Sequence, residues 1–232
     1  MSEAAKPAHA PAPGDGVRMD RRDAQGRLLE RAEFRNGRLH GTTAIFAPSG
    51  LALQEMDFAE GEPDGPMLVR DENGQLLARL TWLAGALDGP AMIFTDGRPL
   101  AEMAYRAGRL DGEMRQYSEA GALASTAAYR DGRLNGITTI YRPDGSIMRK
   151  MNYVDGLLDG EATDHDLQGV VRARALFKGG KREGPLIEYD SDGKPLDRTM
   201  FSADRQVGDK QRLNGNASNP VQTWRQRLTG GR

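Results

Sequence analysis

The chain contains no cysteine, so it has no disulfide framework, no thiolate nucleophile and no thiolate metal ligand. Aromatic residues make up only 6% of it and hydrophobic residues 38%, thin material for a globular core. No apolar run approaches the roughly 18 residues that a membrane span needs. Neither sign of charge prevails, with 32 Lys and Arg against 33 Asp and Glu for a net charge of -1. That balance gives no ground for expecting nucleic acid or an anionic membrane as partner. Histidine occurs only as His9, His40 and His165. No phosphate loop, nucleophile elbow or HExxH zinc motif is present. Asp164-His165-Asp166-Leu167-Gln168-Gly169 begins like a calcium loop, but its twelfth position is Ala175 where a bidentate Glu belongs. These absences imply no catalytic residue, no metal and no cofactor, and the expectation is a protein that is not an enzyme.

What the chain has in quantity is glycine, 29 of 232 residues, and the glycines keep a beat. One set runs Gly37, Gly61, Gly85, Gly108, Gly132, Gly156, Gly180. A second follows four residues behind, from Gly41 to Gly184, and a third runs from Gly26 through Gly50 and Gly74 to Gly193. An aromatic closes each unit at Phe34, Phe58, Trp82, Tyr105, Tyr129, Tyr153, Phe177 and Phe201. Every step is 24 residues except Trp82 to Tyr105, which is 23. A fixed period of this length marks a repeat architecture, in which each unit buries its apolar side against its neighbours. Glycines at fixed phase mark turns.

Each unit holds two strand-sized segments. The first carries an aromatic five residues after the second glycine, at Phe46, Phe94, Tyr117, Tyr141 and Tyr189. The second alternates strictly: Met56/Phe58, Leu80/Trp82 and Met151/Tyr153 point one way, while Glu55/Asp57, Arg79/Thr81 and Lys150/Asn152 point the other. Period two with one apolar side predicts strands with one buried face, and places Tyr129 and Tyr153 in the core. Ala47-Pro48-Ser49-Gly50 and Arg142-Pro143-Asp144-Gly145 fit a type I turn closed by a left-handed glycine. The short unit loses its residue at that turn, leaving Asp96-Gly97, a two-residue hairpin signal. The expected fold is all-β: one elongated antiparallel β-meander of about seven 24-residue β-hairpin repeats.

Outside the repeats the pattern fades. Residues 1–16 are an Ala/Pro-rich stretch without the apolar region of a secretory signal, read as a flexible tail of a cytoplasmic protein. The repeat domain covers 17–213, with Val17 to Phe34 a worn first unit and Ser202 to Leu213 a closing half-unit. Within 214–232, Asn219 as cap, Pro220 as first residue, and Val221, Trp224 and Leu228 on one face predict a short helix that covers the last strand's edge.

The unit, written aromatic-x-x-Gly-x-Leu-x-Gly-x4-Tyr-x-x-x-Gly, resembles the MORN repeat, in the variant form found in bacterial proteins of the YwqK-type antitoxin family. The resemblance covers about Gly26 to Phe201. It implies a run of β-hairpins and, as function, an antitoxin or immunity protein that binds a cognate protein toxin or effector and occludes it. It brings no catalytic residues. The alternative class is a scaffold or membrane-surface module. Against a membrane surface stands the lack of a basic stripe or a lipid-binding amphipathic helix. The sequence sets no oligomeric state.

Departures from the repeat suggest where a partner docks. Arg70 and His165 stand where other units have an aromatic, and His165 lies between Asp164 and Asp166 with Arg172 and Arg174 on the next strand. Together with Glu102, Lys150 and Asn152 on the polar face, these residues form the expected partner-binding patch, because clusters of both signs suit selective recognition.

Overall fold

The computed structural model describes residues 16–213. The tail and the candidate helix within 214–232 lie outside the described residues, apart from Gly16 in a turn. Among the described residues the chain is all-β, with every strand antiparallel to its neighbours and no helix. The chain divides into two compact units, one ending at Gly97 and one starting at Arg98. The main strands of the first are Val17–Arg22, Leu28–Arg35, Gly41–Phe46, Ala52–Ala59, Glu62–Arg70, Leu76–Leu83 and Gly89–Thr95. Those of the second are Arg98–Arg106, Gly112–Tyr117, Leu123–Arg130, Arg133–Tyr141, Ile147–Val154, Leu157–His165, Val171–Lys178, Gly184–Tyr189 and Pro195–Ser202. Within each unit, strands neighbouring in sequence pair, so each unit is a meander.

Two kinds of turn build it. At the first glycine set the preceding residue also has positive φ: 50° and 75° for Asn36-Gly37, 49° and 78° for Asp131-Gly132. These are two-residue turns of the type that matches strand twist, so this junction, like the other, is a hairpin. The glycine N–H then reaches back one unit, Gly61 donating to the Leu39 carbonyl at 2.8 Å and Gly132 to Leu110 at 2.7 Å. Aspartates just before the second glycine accept from the same turn of the next repeat, Asp64 from Ala84 N–H at 3.3 Å and Asp159 from Gly179 N–H at 3.1 Å. Each turn is thus fastened to the repeat before it, which is why the motif recurs.

The second glycine set forms a bulge. Gly136 has φ of 117°, and a Cβ there would stand 3.0 Å from the Cβ of Ala128 on the preceding strand. Only glycine fits both the backbone and the space. The third set ends the other turn. There an aspartate carboxylate commonly accepts two backbone N–H groups, as Asp71 does from Asn73 (2.9 Å) and Gln75 (2.8 Å).

The closing aromatics do share one face with Met56, Met103 and Met151, here called the ring face. In the second unit Tyr105 and Tyr153 donate to the sulfurs of Met103 and Met151, each at 3.7 Å. Burial differs from the expectation. Tyr129 and Tyr153 are only half-buried, because one sheet without a second layer among the described residues leaves both faces partly open. The most enclosed large side chain is Ile187, 0% exposed, which clusters with Leu176 and Tyr189 on the opposite, charged face.

Candidate partner-binding face

In an antiparallel pair, residues directly opposite each other project to the same face. The charged face of the second unit can therefore be followed strand by strand. Glu102 stands opposite Arg115, Arg115 opposite Thr126, and Thr126 opposite Thr139. The row continues from Thr139 to Lys150, Thr163, Arg174, Ile187 and Arg198. Lys150, Arg174 and Arg198 thus occupy alternate strands, with Thr163 and Ile187 as the floor between them. Beside this row runs another that holds Tyr117, Tyr141, His165 and Tyr189.

The electrostatics of the row are lopsided. At its start Arg115 is matched by Glu102 at 3.4 Å and Glu113 at 2.7 Å. Further along, Arg174 pairs with Glu161 at 3.3 Å and lies over the Tyr189 ring, 5.9 Å from its centroid. Lys150 is exposed and makes no ion pair among the described residues. Arg198 donates to the neutral side chain of Gln211, and its Nε is buried without a hydrogen bond. Burial pushes the His165 imidazole below its ordinary value, and the Lys150 ammonium adds to that shift. Its Nδ1 is likewise buried without a hydrogen bond. Burial raises the Tyr189 phenol above its ordinary range.

The expected patch is therefore divided. Lys150, His165 and Arg174 come together on the charged face, with Arg172, whose nearest acid is Asp166 at 3.9 Å. Glu102 lies on the same face near Tyr117, bound to Arg115. Asn152 is on this face too, but its amide donates to the Asp159 carbonyl beside the Gly160 bulge, so it holds backbone. Asp164 points the other way. Strand alternation sends it to the ring face, where the Arg149 guanidinium grips it through two hydrogen bonds, one at 3.0 Å. Asp166 is a turn residue, accepting from Gln168 N–H at 3.0 Å and Val170 N–H at 2.8 Å. Arg70 belongs to the first unit, bound to Glu55 on its charged face. The Asp164-His165-Asp166 run is thus three residues with three separate tasks.

Sequence reading passed over Arg142 and Arg198. Arg142 ties two neighbouring turns, donating to the carbonyls of Ile147 (2.8 Å), Asp166 (3.1 Å) and His165. Arg198 carries a signal that was available, because it stands 24 residues after Arg174 and 48 after Lys150. Among the described residues no group of three or more His, Cys, Asp or Glu stands together as a metal site. No described helix is long and apolar enough to cross a membrane.

Residues 134–155, the bulge, turn and strand pair that carry Thr139 and Lys150 in the middle of this row, match the family model described as the MORN repeat variant. The chain carries a MORN repeat. The same turn and bulge geometry recurs in the other copies, and such repeats serve as scaffolds or protein-interaction surfaces. No curated protein matches the chain. Among solved structures, the GtfA/B complex bound to UDP and GlcNAc is 13% identical with a TM-score of 0.27, over 60% of this chain and 25% of that one. The TcdB2-TccC3-Cdc42 structure is 13% identical with a TM-score of 0.16, over 84% of this chain and 14% of that one. The chain thus spans a quarter or less of each.

Proposed function

We propose that this chain is a protein-binding module without catalytic activity, and that its partner is a toxin or effector that it neutralises by stoichiometric occlusion. The observation that supports a binding role is the division of labour between the two faces of the second unit. On the ring face, charges are matched internally: Arg149 holds Asp164, and Lys210 and Arg212 meet Asp197 at 3.2 and 3.7 Å. On the charged face, Lys150 and Arg198 stand without acids, beside a row of tyrosines. Tyrosine and arginine are the residue types that enrich protein interfaces. The choice of a toxin as partner follows from the resemblance to the antitoxin family.

The test is to ask whether a toxin gene adjoins the gene for this chain and, where one does, to mix its purified product with the purified full chain. The expected result is a stable complex of fixed stoichiometry and loss of toxin activity that is complete at that ratio. Full toxin activity in molar excess of this chain would exclude neutralisation by occlusion.

A further inference from the structure

The charged face of the second unit has a chemistry that specifies its partner. From Thr139 to Arg198 its strand residues include four cations, Lys150, Arg172, Arg174 and Arg198, and one carboxylate, Glu161. Glu161 neutralises Arg174. The excess is local, since the whole chain carries -1, so bulk charge does not draw an acidic molecule to it. The cations recur on alternate strands, about 9.6 Å apart at the usual strand spacing, and the row from Lys150 to Arg198 runs about 19 Å. The side chains between them are small or apolar: half-buried Thr163 and Ile187, which is 0% exposed. The long cationic side chains therefore stand over a recessed floor and present their heads to whatever lies on it. Tyr141 and Tyr189 add phenol donors along one side, and the buried His165 Nδ1 has no partner of its own.

We infer that this row docks an acidic segment of a partner protein, whose carboxylates meet Lys150 and Arg198 at its two ends and the Tyr189 hydroxyl between. This deepens the proposed function and rests on it for the partner's role, though not for the chemistry of the surface. Carboxylates suit the site because the positive potential is uncompensated and charge complementarity fixes both register and choice of partner. Single-stranded nucleic acid needs ring faces open for base stacking, and here Arg174 lies over the Tyr189 ring.

The test needs no toxin. The probe is a fluorescein-labelled peptide of alternating Glu and Ala, about eight residues long, which in extended form covers the row. Its binding to the full chain is followed by fluorescence anisotropy at low ionic strength. The Lys150→Glu/Arg198→Glu variant is expected to weaken binding by more than about tenfold, and the milder Lys150→Gln/Arg198→Gln variant by less. Arg130→Glu/Lys178→Glu makes the same change in net charge at exposed positions off the row, and is expected to leave binding within about twofold. Circular dichroism and thermal melting confirm that each variant is folded; should the Glu variant fail to fold, the Gln variant decides. Equal losses in the on-row and off-row variants would overturn the proposal, as would no binding of the peptide by the unmodified chain. Row-dependent binding of an oligo-dT strand or of phosphatidylserine vesicles in preference to the peptide would overturn it too. If the peptide result fails while the toxin still binds, the docking surface lies elsewhere and neutralisation stands. If the peptide binds through the row and the toxin does not, the surface stands and the toxin assignment falls.

Discussion

The two units are built from one repeat, yet they dress the same face differently. Three residues before each closing aromatic, the first unit carries Arg31, Glu55 and Arg79, and the second carries Glu102, Thr126, Lys150, Arg174 and Arg198. Signs alternate in the first; in the second the position is Glu102, then Thr126, and is positive in the last three repeats. The neighbouring row on this charged face, here called the ring row, changes as well, from Phe46, Arg70 and Phe94 to Tyr117, Tyr141, His165 and Tyr189. In the first unit two of the face's cations are matched internally: Arg31 meets Asp20 at 3.1 Å and covers the Phe46 ring at 5.7 Å, and Arg70 meets Glu55, while Arg79 is exposed and makes no ion pair among the described residues. In the second, Lys150 and Arg198 make no ion pair among the described residues, and Tyr117, Tyr141 and Tyr189 bring hydroxyls to the neighbouring row.

The largest expected effect concerns the floor of the row. Ile187→Ala removes the one fully enclosed large side chain among the described residues and should cost about 3 kcal/mol in urea unfolding. Leu68→Ala, at the corresponding place in the first unit and only half-buried, should cost less, about 1.5 kcal/mol. Equal costs would mean that the two floors are packed alike.

The bulge glycines should rank next. Gly136→Ala forces a side chain onto φ of 117° and against the Ala128 Cβ at 3.0 Å, and should cost about 2 kcal/mol. At Gly41 the obstacle is the Glu33 carboxylate, which can swing aside, so Gly41→Ala should cost about 1 kcal/mol. A larger loss at Gly41 would show that the Glu33 contact is rigid.

A smaller effect separates the ring rows by pH. His165 has its folded value lowered, first by burial and then by Lys150, Asp164 and Asp166 opposing and Arg142 assisting. The unfolded chain therefore binds the proton more readily, and stability falls as pH drops through the unfolded value near 6.5, levelling off below the folded value. His165→Tyr restores the ring row and should flatten that part of the melting-temperature profile between about pH 8 and pH 5. An unchanged profile would place the titration elsewhere. The smallest change is expected at Glu55→Ala, under about 1 kcal/mol, since the Glu55–Arg70 pair is partly solvated.

Much of this was legible in the sequence, because the repeat is written in glycines whose φ values have few other solutions. The 24-residue period, the strand alternation and the turn that absorbs the deletion at Asp96-Gly97 all follow from residue types alone. The depth of burial was not legible, since a period-two pattern shows which side chains share a face but not whether a second layer covers it. Hence Tyr129 and Tyr153 are half-open, and Ile187 on the opposite face is enclosed. The site was half legible. Lys150, His165 and Arg174 share the face that alternation assigns them. Asp164 and Asp166 were grouped with His165 by adjacency, although alternation already sends Asp164 across the sheet. Asp166 is in phase with the turn residues Asp71 and Asp190, which accept backbone N–H groups in the same way. Arg198 shows the converse: the period that located the turns also located the third cation of the row.

The central claim, that the second unit's charged face is the one kept for a partner, is tested most directly by hydrogen exchange on the full chain. Exchange is measured with and without the Glu-Ala peptide at saturation. The account predicts added protection in Ile147–Val154, Leu157–His165, Val171–Lys178, Gly184–Tyr189 and Pro195–Ser202, with Gly41–Phe46 and Ala52–Ala59 unchanged. Protection confined to those first-unit strands, or equal in both units, would contradict it.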